Sequence, residues 1–511
     1  MFKTITRAIL LSLTILALIL PAHAQAEIVL VPFADEIYGI TGVIPEGWEA
    51  LGQGLYTPDK DGLSLLALQS APLPASQVMT ALQPQLGLSA APESTGTAET
   101  DAFTWTLYQM DVEVAPNLTV RVDLALTEAG GRTYILLVQA VADDYDALHT
   151  AVFEPVLNAL APLQAEVIEL PYRVEEVRFD SGLISMSGTL TLPEGDGPFP
   201  AIVLMTGSGP QTRDEEIVPG FPIFKLLADH LTRAGIAVLR YDDRGVGFSD
   251  GDYNAASVQV LASDGQAAVN FLRAYDGIDP EQVGILGHSE GGIYASILGA
   301  TPDSGVAFIV TLAGPGALGS DLLLRQNELI LGVSGASEEV IASQLAFLEQ
   351  AFPLIAARDW DAMEQLTYET AYAQLEFAPA EQTADMTDAD REAFARQSAA
   401  NFRQGYAAEW FASLLEYDPA PDWAKTSVPV LAFFGGLDIQ VDAEQNSIPM
   451  EAALTEGGNP DVTIVTLPNA NHLFQSAVTG GLEEYAMLRL QFTPDLLPTL
   501  TDWLLARVTL N

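Results

Sequence analysis

The chain has 511 residues, of which 68 are acidic and 21 are basic, and its formal net charge at neutral pH is −47. This charge repels nucleic acids and anionic membranes, which argues against a nucleic-acid partner. No cysteine is present, so disulfides, thiolate nucleophiles and cysteine-ligated metals are excluded. We attribute the acidity to solubility and an acidic proteome; a halophilic source is the alternative, which a hydrophobic content of 49% disfavours.

The N-terminus has the pattern of a secretory signal peptide over residues 1–24. Two basic residues precede an apolar run from Ala8 to Leu20, and Ala-His-Ala at 22–24 forms a cleavage site before Gln25. The apolar run is shorter than the ~20 residues of a membrane span, so an uncleaved anchor is the less favoured alternative. We expect an exported protein that is either extracellular or located in the periplasm or cell envelope, without stable membrane insertion after cleavage.

A first domain is predicted over residues 27–163. Its predicted strands are 63–68, 102–110, 118–126 and 133–141, and its predicted helices are 75–85 and 145–160. Strands in series with a helix near each end indicate an α+β fold with an antiparallel sheet. The opening phrase at 38–48 and the terminal helix resemble PsbP-like domains, which implies a fold more than an activity. Its histidine, His149, is expected to have a surface or packing role, and no catalytic cluster is predicted here.

A second domain is predicted over residues 167–511, where apolar strands alternate with amphipathic helices. Its predicted strands are 173–179, 183–192, 201–205, 236–241, 283–286, 306–312, 428–434 and 462–466. Helices are predicted at 221–234, at 257–275 and after the fifth of these strands. The alternation indicates an α/β fold with a mostly parallel sheet that helices cover on both faces.

More than a hundred residues lie between the predicted strands 306–312 and 428–434. The hydrophobic pattern of this insert is almost entirely helical. Ligands bind beyond the carboxyl ends of the strands in open α/β sheets, which is where this insert emerges. We therefore predict a helical lid at about 318–424 that shapes an acyl or alcohol pocket. A structural extension that only buries surface is the alternative.

A Gly-x-Ser-x-Gly pentapeptide lies between the strand 283–286 and a helical pattern that begins near Glu290. A serine between a buried strand and a helix is forced into a sharp turn, which displays its hydroxyl above the sheet. Gly287 and Gly291 leave out Cβ atoms where strand and helix approach most closely. We therefore predict that Ser289 is a nucleophile, provided that a base and an acid lie nearby.

The base is predicted by elimination among the five histidines, which are His23, His149, His230, His288 and His472. The first leaves with the signal peptide, the second belongs to the first domain, and the third lies inside a helix. His288 is adjacent to the serine, so its side chain should diverge from the hydroxyl. His472 follows the final strand in a polar loop, where the base of such a site belongs.

An acid that orients this base is expected between the serine and the histidine in chain order. Asp438 comes directly after the strand 428–434 and is the preferred candidate, with Asp442 as the alternative. Asp461 lies at the wrong end of its strand. Position relative to the strand carries this choice, because acidic residues are common throughout the chain.

Two N–H groups are expected to stabilise the oxyanion of a tetrahedral intermediate. One is the backbone N–H of Glu290, and the other comes from the loop after strand 201–205, where we favour Ser208 with Gly209 as the alternative. Four charged residues near these loops are expected to form ion pairs: Arg213, Asp214, Glu215 and Arg244. The alternative to a purely structural ion pair is that the residue holds the oxyanion loop in position.

With these residues assigned, the second domain resembles the α/β-hydrolase superfamily, and more closely bacterial exported serine esterases. The motifs that carry the resemblance are Gly-Ser-Gly-Pro-Gln at 207–211, Arg-Tyr-Asp-Asp-Arg-Gly-Val-Gly at 240–247, Gly-His-Ser-Glu-Gly-Gly at 287–292 and Asn-His-Leu-Phe-Gln at 471–475. The resemblance implies the α/β-hydrolase fold and carboxylesterase activity on short to medium acyl esters. Thr206 departs from it, because many relatives carry a histidine there, and this puts the orientation of the oxyanion loop in question.

We therefore expect an exported serine hydrolase that cleaves small-molecule carboxylic esters through an acyl-enzyme and requires no metal or organic cofactor. A serine peptidase or amidase of the same fold is one alternative, which a panel of peptide amides distinguishes. A non-catalytic binding protein with a vestigial hydrolase fold is another, which a fluorophosphonate probe distinguishes because only an activated serine reacts. The sequence leaves open the acyl-chain preference, the role of the first domain and the oligomeric state.

Overall fold

The computed structural model of the chain describes residues 28–510, except for 36–37, 53, 59–62, 72, 84–85, 87, 89, 116–117, 164–169 and 378–385. The predicted signal peptide at 1–24 lies outside the described residues. Two compact units divide the chain, Met1–Glu169 and Leu170–Asn511. Within the described ranges, no helix combines the length and apolarity that crossing a membrane requires.

The described residues of the first unit form two antiparallel sheets and three short α-helices. Its strands are β1 (Leu30–Asp35), β2 (Ile40–Pro45), β3 (Glu49–Gly52), β4 (Leu55–Thr57), β5 (Leu65–Ala71), β6 (Gly96–Glu99), β7 (Thr104–Ala115), β8 (Leu118–Ala129), β9 (Arg132–Val141) and β10 (Ala161–Pro162). Its helices are α1 (Ala75–Leu82), α2 (Ala142–Leu148) and α3 (Glu154–Ala159), with a π-helical turn at His149–Phe153. The strand orders are β1-β2-β10 and β3-β4-β5-β9-β8-β7-β6.

Both faces of the seven-stranded sheet are buried. Leu65 and Ala67 belong to an apolar cluster that includes α1, whereas Leu66 and Leu68 belong to a second cluster that includes α2 and α3. Successive side chains of a strand point to opposite faces, so both faces of β5 are buried and its first four residues, 65–68, are all apolar. The predicted helix 145–160 is interrupted by the π-helical turn, and the resemblance to PsbP-like domains stays a prediction.

The second unit is built on an eight-stranded sheet in the order β11-β12-β14-β13-β15-β16-β17-β18. Its strands are β11 (Tyr172–Ser181), β12 (Ile184–Pro193), β13 (Phe199–Met205), β14 (Ala237–Tyr241), β15 (Ile278–His288), β16 (Ile309–Leu312), β17 (Val430–Gly435) and β18 (Val462–Leu467). The first two strands run antiparallel to their neighbours and the other pairs are parallel. The prediction of a mostly parallel α/β sheet is therefore confirmed.

Helices connect and cover these strands. They are α4 (Ile223–Arg233), α5 (Val258–Arg273), α6 (Gly291–Ala300), α7 (Gly319–Val333), α8 (Glu338–Ala356), α9 (Trp360–Phe377), α10 (Asp388–Tyr406), α11 (Glu409–Glu416), α12 (Ala420–Trp423), α13 (Ala443–Glu456) and α14 (Leu496–Leu505), with a 3-10 turn at Leu482–Met487. Strands β13, β14, β16 and β17 are buried at every position, as expected for strands covered on both faces. Helices α7 to α12 form the insert between β16 and β17, at the carboxyl edge of the sheet.

Candidate active site

The predicted nucleophile lies at a sharp turn between β15 and α6. Ser289 adopts a left-handed backbone conformation with φ of 53°, which L-residues rarely adopt and which marks a strained, structurally determined position. A Cβ atom on Gly287 would lie 2.1 Å from the Gly291 carbonyl oxygen, and one on Gly291 would lie 2.2 Å from the Met205 carbonyl oxygen. Only glycine fits at both positions, so the pentapeptide is required by the packing of the turn.

Asp438 and His472 meet at the carboxyl ends of β17 and β18. His472 Nδ1 lies 2.8 Å from Asp438 Oδ2, and both side chains are buried. The other carboxylate oxygen accepts hydrogen bonds from the N–H groups of Gln440 and Val441 at 2.8 and 2.9 Å. These bonds fix the carboxylate, which in turn fixes the orientation of the imidazole.

The other two acids considered from the sequence lie elsewhere. Asp442 caps the N-terminus of α13, where its side chain accepts a hydrogen bond from the Gln445 N–H at 2.8 Å. Asp461 forms an ion pair with Arg507 at 2.5 Å. Of the three candidates, the structure brings only Asp438 to His472.

The loop that carries His472 is held by buried amide side chains. Asn471 Oδ1 accepts hydrogen bonds from the N–H groups of Leu473 and Gln475, at 3.1 and 2.9 Å. The Asn471 amide donates to the side-chain oxygen of Gln475 at 3.2 Å. Asn471 and Gln475 are completely buried, so these motif residues shape the loop rather than contact solvent.

The loop after β13, residues 206–210, lies beside the serine turn and holds the predicted oxyanion donors. The Gly209 N–H donates to the Tyr253 hydroxyl at 3.1 Å and is therefore already engaged. In the part of the chain that the structure describes, the N–H groups of Ser208 and Glu290 donate no hydrogen bond. This difference favours Ser208 over Gly209 as the second oxyanion donor.

Thr206, which departs from the motif of the esterases, is anchored by a buried carboxylate. Its hydroxyl donates to Asp243 Oδ1 at 2.8 Å, and the Gln211 N–H donates to Asp243 Oδ2 at the same distance. Asp243 therefore holds both ends of the oxyanion loop, so the loop has a defined support without a histidine at position 206.

Glu215 contacts the oxyanion loop directly, a role that the sequence left open among four charged residues. Its Oε1 accepts a hydrogen bond from the Gly207 N–H at 2.7 Å and lies 2.8 Å from His288 Nδ1. His288 Nε2 donates to the His472 carbonyl at 3.0 Å. Both nitrogens of His288 are thus engaged away from Ser289, as expected for a residue that is not the base. Only the acidic run at 214–216 could have suggested Glu215, and it does not distinguish one carboxylate from another.

The remaining charged residues near these loops form ion pairs. Arg213 binds Asp242 at 2.7 Å, and Arg244 binds Asp264 of α5 at the same distance. Arg240 pairs with Asp214. Arg244 is therefore directed to α5 and not to the oxyanion loop.

Glu290 has a buried carboxyl group next to the oxyanion loop. The Tyr294 hydroxyl donates to its Oε1 at 2.7 Å, whereas Oε2 has no hydrogen-bond partner among the described residues. Burial raises the pKa of Glu290 to about 7, although hydrogen bonding by the Tyr294 and Ser208 side chains opposes the rise. The carboxyl group can therefore change its charge near neutral pH.

The insert contacts this region through α11. The Trp410 indole donates to the Asn254 side chain at 3.0 Å, and its ring packs 5.6 Å from the ring of Tyr253. Tyr253 is the residue whose hydroxyl accepts from the Gly209 N–H. The insert is therefore connected to the oxyanion loop through one buried tyrosine.

The serine turn is bonded to β16, and its residue His288 packs beside His472. The Ser289 N–H donates to the Leu312 carbonyl at 2.8 Å, and the rings of His288 and His472 lie 4.9 Å apart. Within the described ranges, the Ser289 hydroxyl forms no hydrogen bond. Catalytic hydrogen bonds often lengthen without substrate. No group of three or more histidine, aspartate or glutamate side chains among the described residues is arranged to hold a metal ion.

The two other histidines in the described residues have partners of their own. His230 contacts the Thr501 hydroxyl at 2.7 Å, between α4 and α14. His149, in the first unit, binds the buried carboxylate of Asp123 at 2.7 Å, and the Tyr145 hydroxyl donates to the same residue at 2.6 Å. The sequence analysis did not predict this polar cluster.

These features define an α/β hydrolase, and comparison with known proteins agrees. The sequence profile of the alpha/beta hydrolase family matches residues 217–478, just over half of the chain and a range that contains Ser289, Asp438 and His472. The chain therefore belongs to the alpha/beta hydrolase family.

Among curated proteins, the chain is similar to Esterase EstD of Thermotoga maritima, with 30% identity over 312 residues. The match covers 60% of this chain and 63% of EstD, so the chain spans less than two thirds of that relative. Among solved structures, the esterase Pf2001 of Pyrococcus furiosus has 15% identity and a TM-score of 0.38, with 61% of this chain and 87% of that one covered. Est1E from Butyrivibrio proteoclasticus, with bound ferulic acid, has 16% identity and a TM-score of 0.37, with coverages of 64% and 96%.

Proposed function

We propose that this chain is an exported serine esterase that cleaves carboxylic esters of small molecules through an acyl-enzyme. The observation that carries the proposal is the buried 2.8 Å contact between His472 and Asp438, on the two loops next to the serine turn. Similarity to a protein named an esterase supports an ester as the substrate. The left-handed backbone of Ser289 supports its role as the nucleophile, because such strain is retained where a side chain must be displayed.

In this proposal the Ser289 hydroxyl attacks the ester carbonyl while His472 Nε2 accepts its proton. Asp438 keeps the proton of His472 on Nδ1 and stabilises the imidazolium that forms. The N–H groups of Glu290 and Ser208 donate to the oxyanion, each contributing ~3 kcal/mol to transition-state stabilisation. His472 then protonates the leaving alcohol, and a water molecule that His472 deprotonates releases the acid.

The proposal is tested with p-nitrophenyl esters of graded acyl length, with peptide amides alongside. Ser289→Ala is expected to lower kcat by a factor on the order of 10⁶, since the nucleophile is lost. Ser263→Ala is the matched control, because that serine lies on the exposed side of α5 and bonds only its own helix. Turnover by Ser289→Ala at the wild-type rate contradicts the serine mechanism, and cleavage of amides in preference to esters contradicts the esterase assignment.

A fluorophosphonate probe provides an independent test of the activated serine. We expect the wild-type protein and Ser263→Ala to be labelled and Ser289→Ala to remain unlabelled. Absence of labelling in the wild type would indicate a binding protein instead of an enzyme.

Export is the part of the proposal that rests on residues 1–24 alone. Cleavage after Ala24 predicts that the secreted protein begins at Gln25. N-terminal sequencing of protein recovered from the medium or the periplasm tests this, and an intact N-terminus in the cytoplasmic fraction contradicts it.

A further inference from the structure

Three separate loops must hold a fixed arrangement for the proposed chemistry, and one buried pair of side chains touches all three. The three loops are the oxyanion loop after β13, the serine turn after β15 and the base loop after β18, which carries His472. Glu215 Oε1 receives the Gly207 N–H at 2.7 Å and lies 2.8 Å from His288 Nδ1. His288 Nε2 lies 3.0 Å from the carbonyl oxygen of His472.

The hydrogen-bond partners determine how many protons this pair holds. A backbone carbonyl only accepts, so His288 Nε2 must carry a hydrogen. A second proton must then lie between His288 Nδ1 and Glu215 Oε1, because a bare nitrogen lone pair and a carboxylate oxygen repel each other at 2.8 Å. Burial opposes a charge on His288, but the Glu215 carboxylate holds the pKa of the imidazole above its usual value. The contacts therefore require a hydrogen on Nε2 and a second one between Nδ1 and Oε1, and the Glu215 carboxylate favours the form in which His288 holds both.

This arrangement is costly for the fold. Glu215 and His288 are both completely buried, and Glu215 Oε2 has no hydrogen-bond partner among the described residues. Glu215 also adopts a left-handed backbone with φ of 47°. Buried ion pairs contribute little net stability, and an unsatisfied carboxylate oxygen lowers it. A role in stability alone does not explain the pair.

We propose that Glu215 and His288 are positioning residues that set the distance from the oxyanion loop to the base loop through a doubly protonated imidazole. This inference rests on the proposed function, since it assigns a role in the same reaction. Neither residue contacts the reacting atoms. The imidazolium donates on both sides, to Glu215 and to the His472 carbonyl, and so connects two loops that share no direct bond in the described residues.

Glu215→Gln separates charge from shape. If His288 becomes neutral with its hydrogen on Nδ1, the bond to the His472 carbonyl is lost. If the hydrogen stays on His288 Nε2, the glutamine amide must donate to His288 Nδ1. The glutamine oxygen then no longer accepts the hydrogen bond of the Gly207 N–H. One of the three loops is therefore released in either case. A misplacement of ~1 Å in such a site costs a factor on the order of 100 in rate.

We test the charge state by NMR of protein labelled with ¹⁵N at histidine, of which the whole chain has five. The two ring nitrogens of His288 are expected to keep the shifts of protonated nitrogens at pH values above the ordinary histidine pKa of ~6.5. His288→Gln assigns these signals, and Glu215→Gln is expected to convert them to those of a neutral ring. A neutral His288 in the wild type overturns the proposal whether or not the protein hydrolyses esters.

Kinetics with p-nitrophenyl butyrate test the positioning role. Glu215→Gln is expected to lower kcat by ~10–100-fold and to leave KM within ~3-fold, because the oxyanion contact exists in the transition state and not in substrate binding. Glu216→Gln is the matched control. The carboxylate of Glu216 is next to Glu215 in the chain, and among the described residues it accepts a hydrogen bond only from the Gly220 N–H. Wild-type kcat in Glu215→Gln, or a loss that appears only in KM, overturns the proposal.

A double-mutant cycle distinguishes a shared function from two separate defects. If Glu215 and His288 act together, the kcat of the double variant Glu215→Gln, His288→Gln is expected to be no lower than that of the slower single variant. Multiplicative losses overturn the proposal. Where Glu215→Gln does not fold, His288→Gln carries the kinetic test with the same expectations. If the wild type shows no turnover of any ester, the proposed function fails while the NMR result still decides the charge state.

Discussion

Replacement of Glu290 by glutamine removes a charge that the fold disfavours and keeps the shape of the side chain. The carboxyl group is buried beside Ser208 and Tyr294, and one of its oxygens has no hydrogen-bond partner among the described residues. Glutamine still accepts the hydrogen bond of the Tyr294 hydroxyl. The variant therefore isolates the cost of ionising this position.

The magnitude follows from the change in pKa, from 4.5 to about 7 on folding. At about 1.4 kcal/mol per pH unit, the shift corresponds to about 3 kcal/mol against the ionised form. Below about pH 4 the carboxyl of Glu290 is protonated in both the folded and the unfolded chain, so it adds no pH dependence. The unfolded chain ionises first as pH rises, so the destabilisation grows between 4.5 and about 7 and is complete above that.

Urea unfolding of the wild type and Glu290→Gln at about pH 5 and about pH 8 measures this effect. The free energy of unfolding of the variant relative to the wild type is expected to rise by about 2 kcal/mol between these values, because part of the cost is already present at the lower pH. Glu451→Gln, at an exposed position of α13, is the control and should show no such trend. A difference between Glu290→Gln and the wild type that is the same at both pH values refutes the argument.

Three further predictions concern the proposed site. Asp438→Asn should lower kcat for a p-nitrophenyl ester by a factor on the order of 10⁴, since His472 loses the partner that fixes its tautomer. Asp442→Asn is the control and should retain activity, so equal losses in the two variants contradict the assignment. Gly291→Ala should lower the free energy of unfolding by ~3 kcal/mol or more, because its Cβ would lie 2.2 Å from a carbonyl oxygen of β13, and urea unfolding at the wild-type midpoint would exclude this. Ser289→Gly should be more stable than Ser289→Ala by ~1 kcal/mol, since glycine relieves the left-handed strain; calorimetry with identical midpoints would contradict it.

The succession of strands along the chain and the ends at which chemistry occurs could be predicted from the sequence, whereas the position of β14 between β12 and β13 could not. Ser289, Asp438 and His472 each follow an apolar strand, and parallel strands bring their carboxyl ends to one edge. Helices α13 and α14 were not predicted, and α13 contains an internal proline at Pro449 that interrupts a helical pattern. Several strands of the first unit were also missed; β3, β4 and β6 have only three or four residues, which give no periodic signal.

Contacts between loops could not be predicted. Glu215 is 73 residues from His288 in the chain, and the carbonyl that His288 binds is 184 residues further on. Such contacts depend on the path of each loop, which neither hydrophobic periodicity nor motif spacing determines. The same limit applies to Asp123 and His149, because an aspartate within a strand gives no indication of which helix covers it.

The contact of Trp410 with Tyr253 has a consequence for engineering. A graft of a foreign lid would replace the indole that packs on Tyr253, and the hydroxyl of that tyrosine holds the Gly209 N–H. Selectivity for the acyl chain and turnover rate are therefore expected to change together when α11 is exchanged. Libraries that aim at a new substrate range should keep α11 native and vary the helices from α7 to α10.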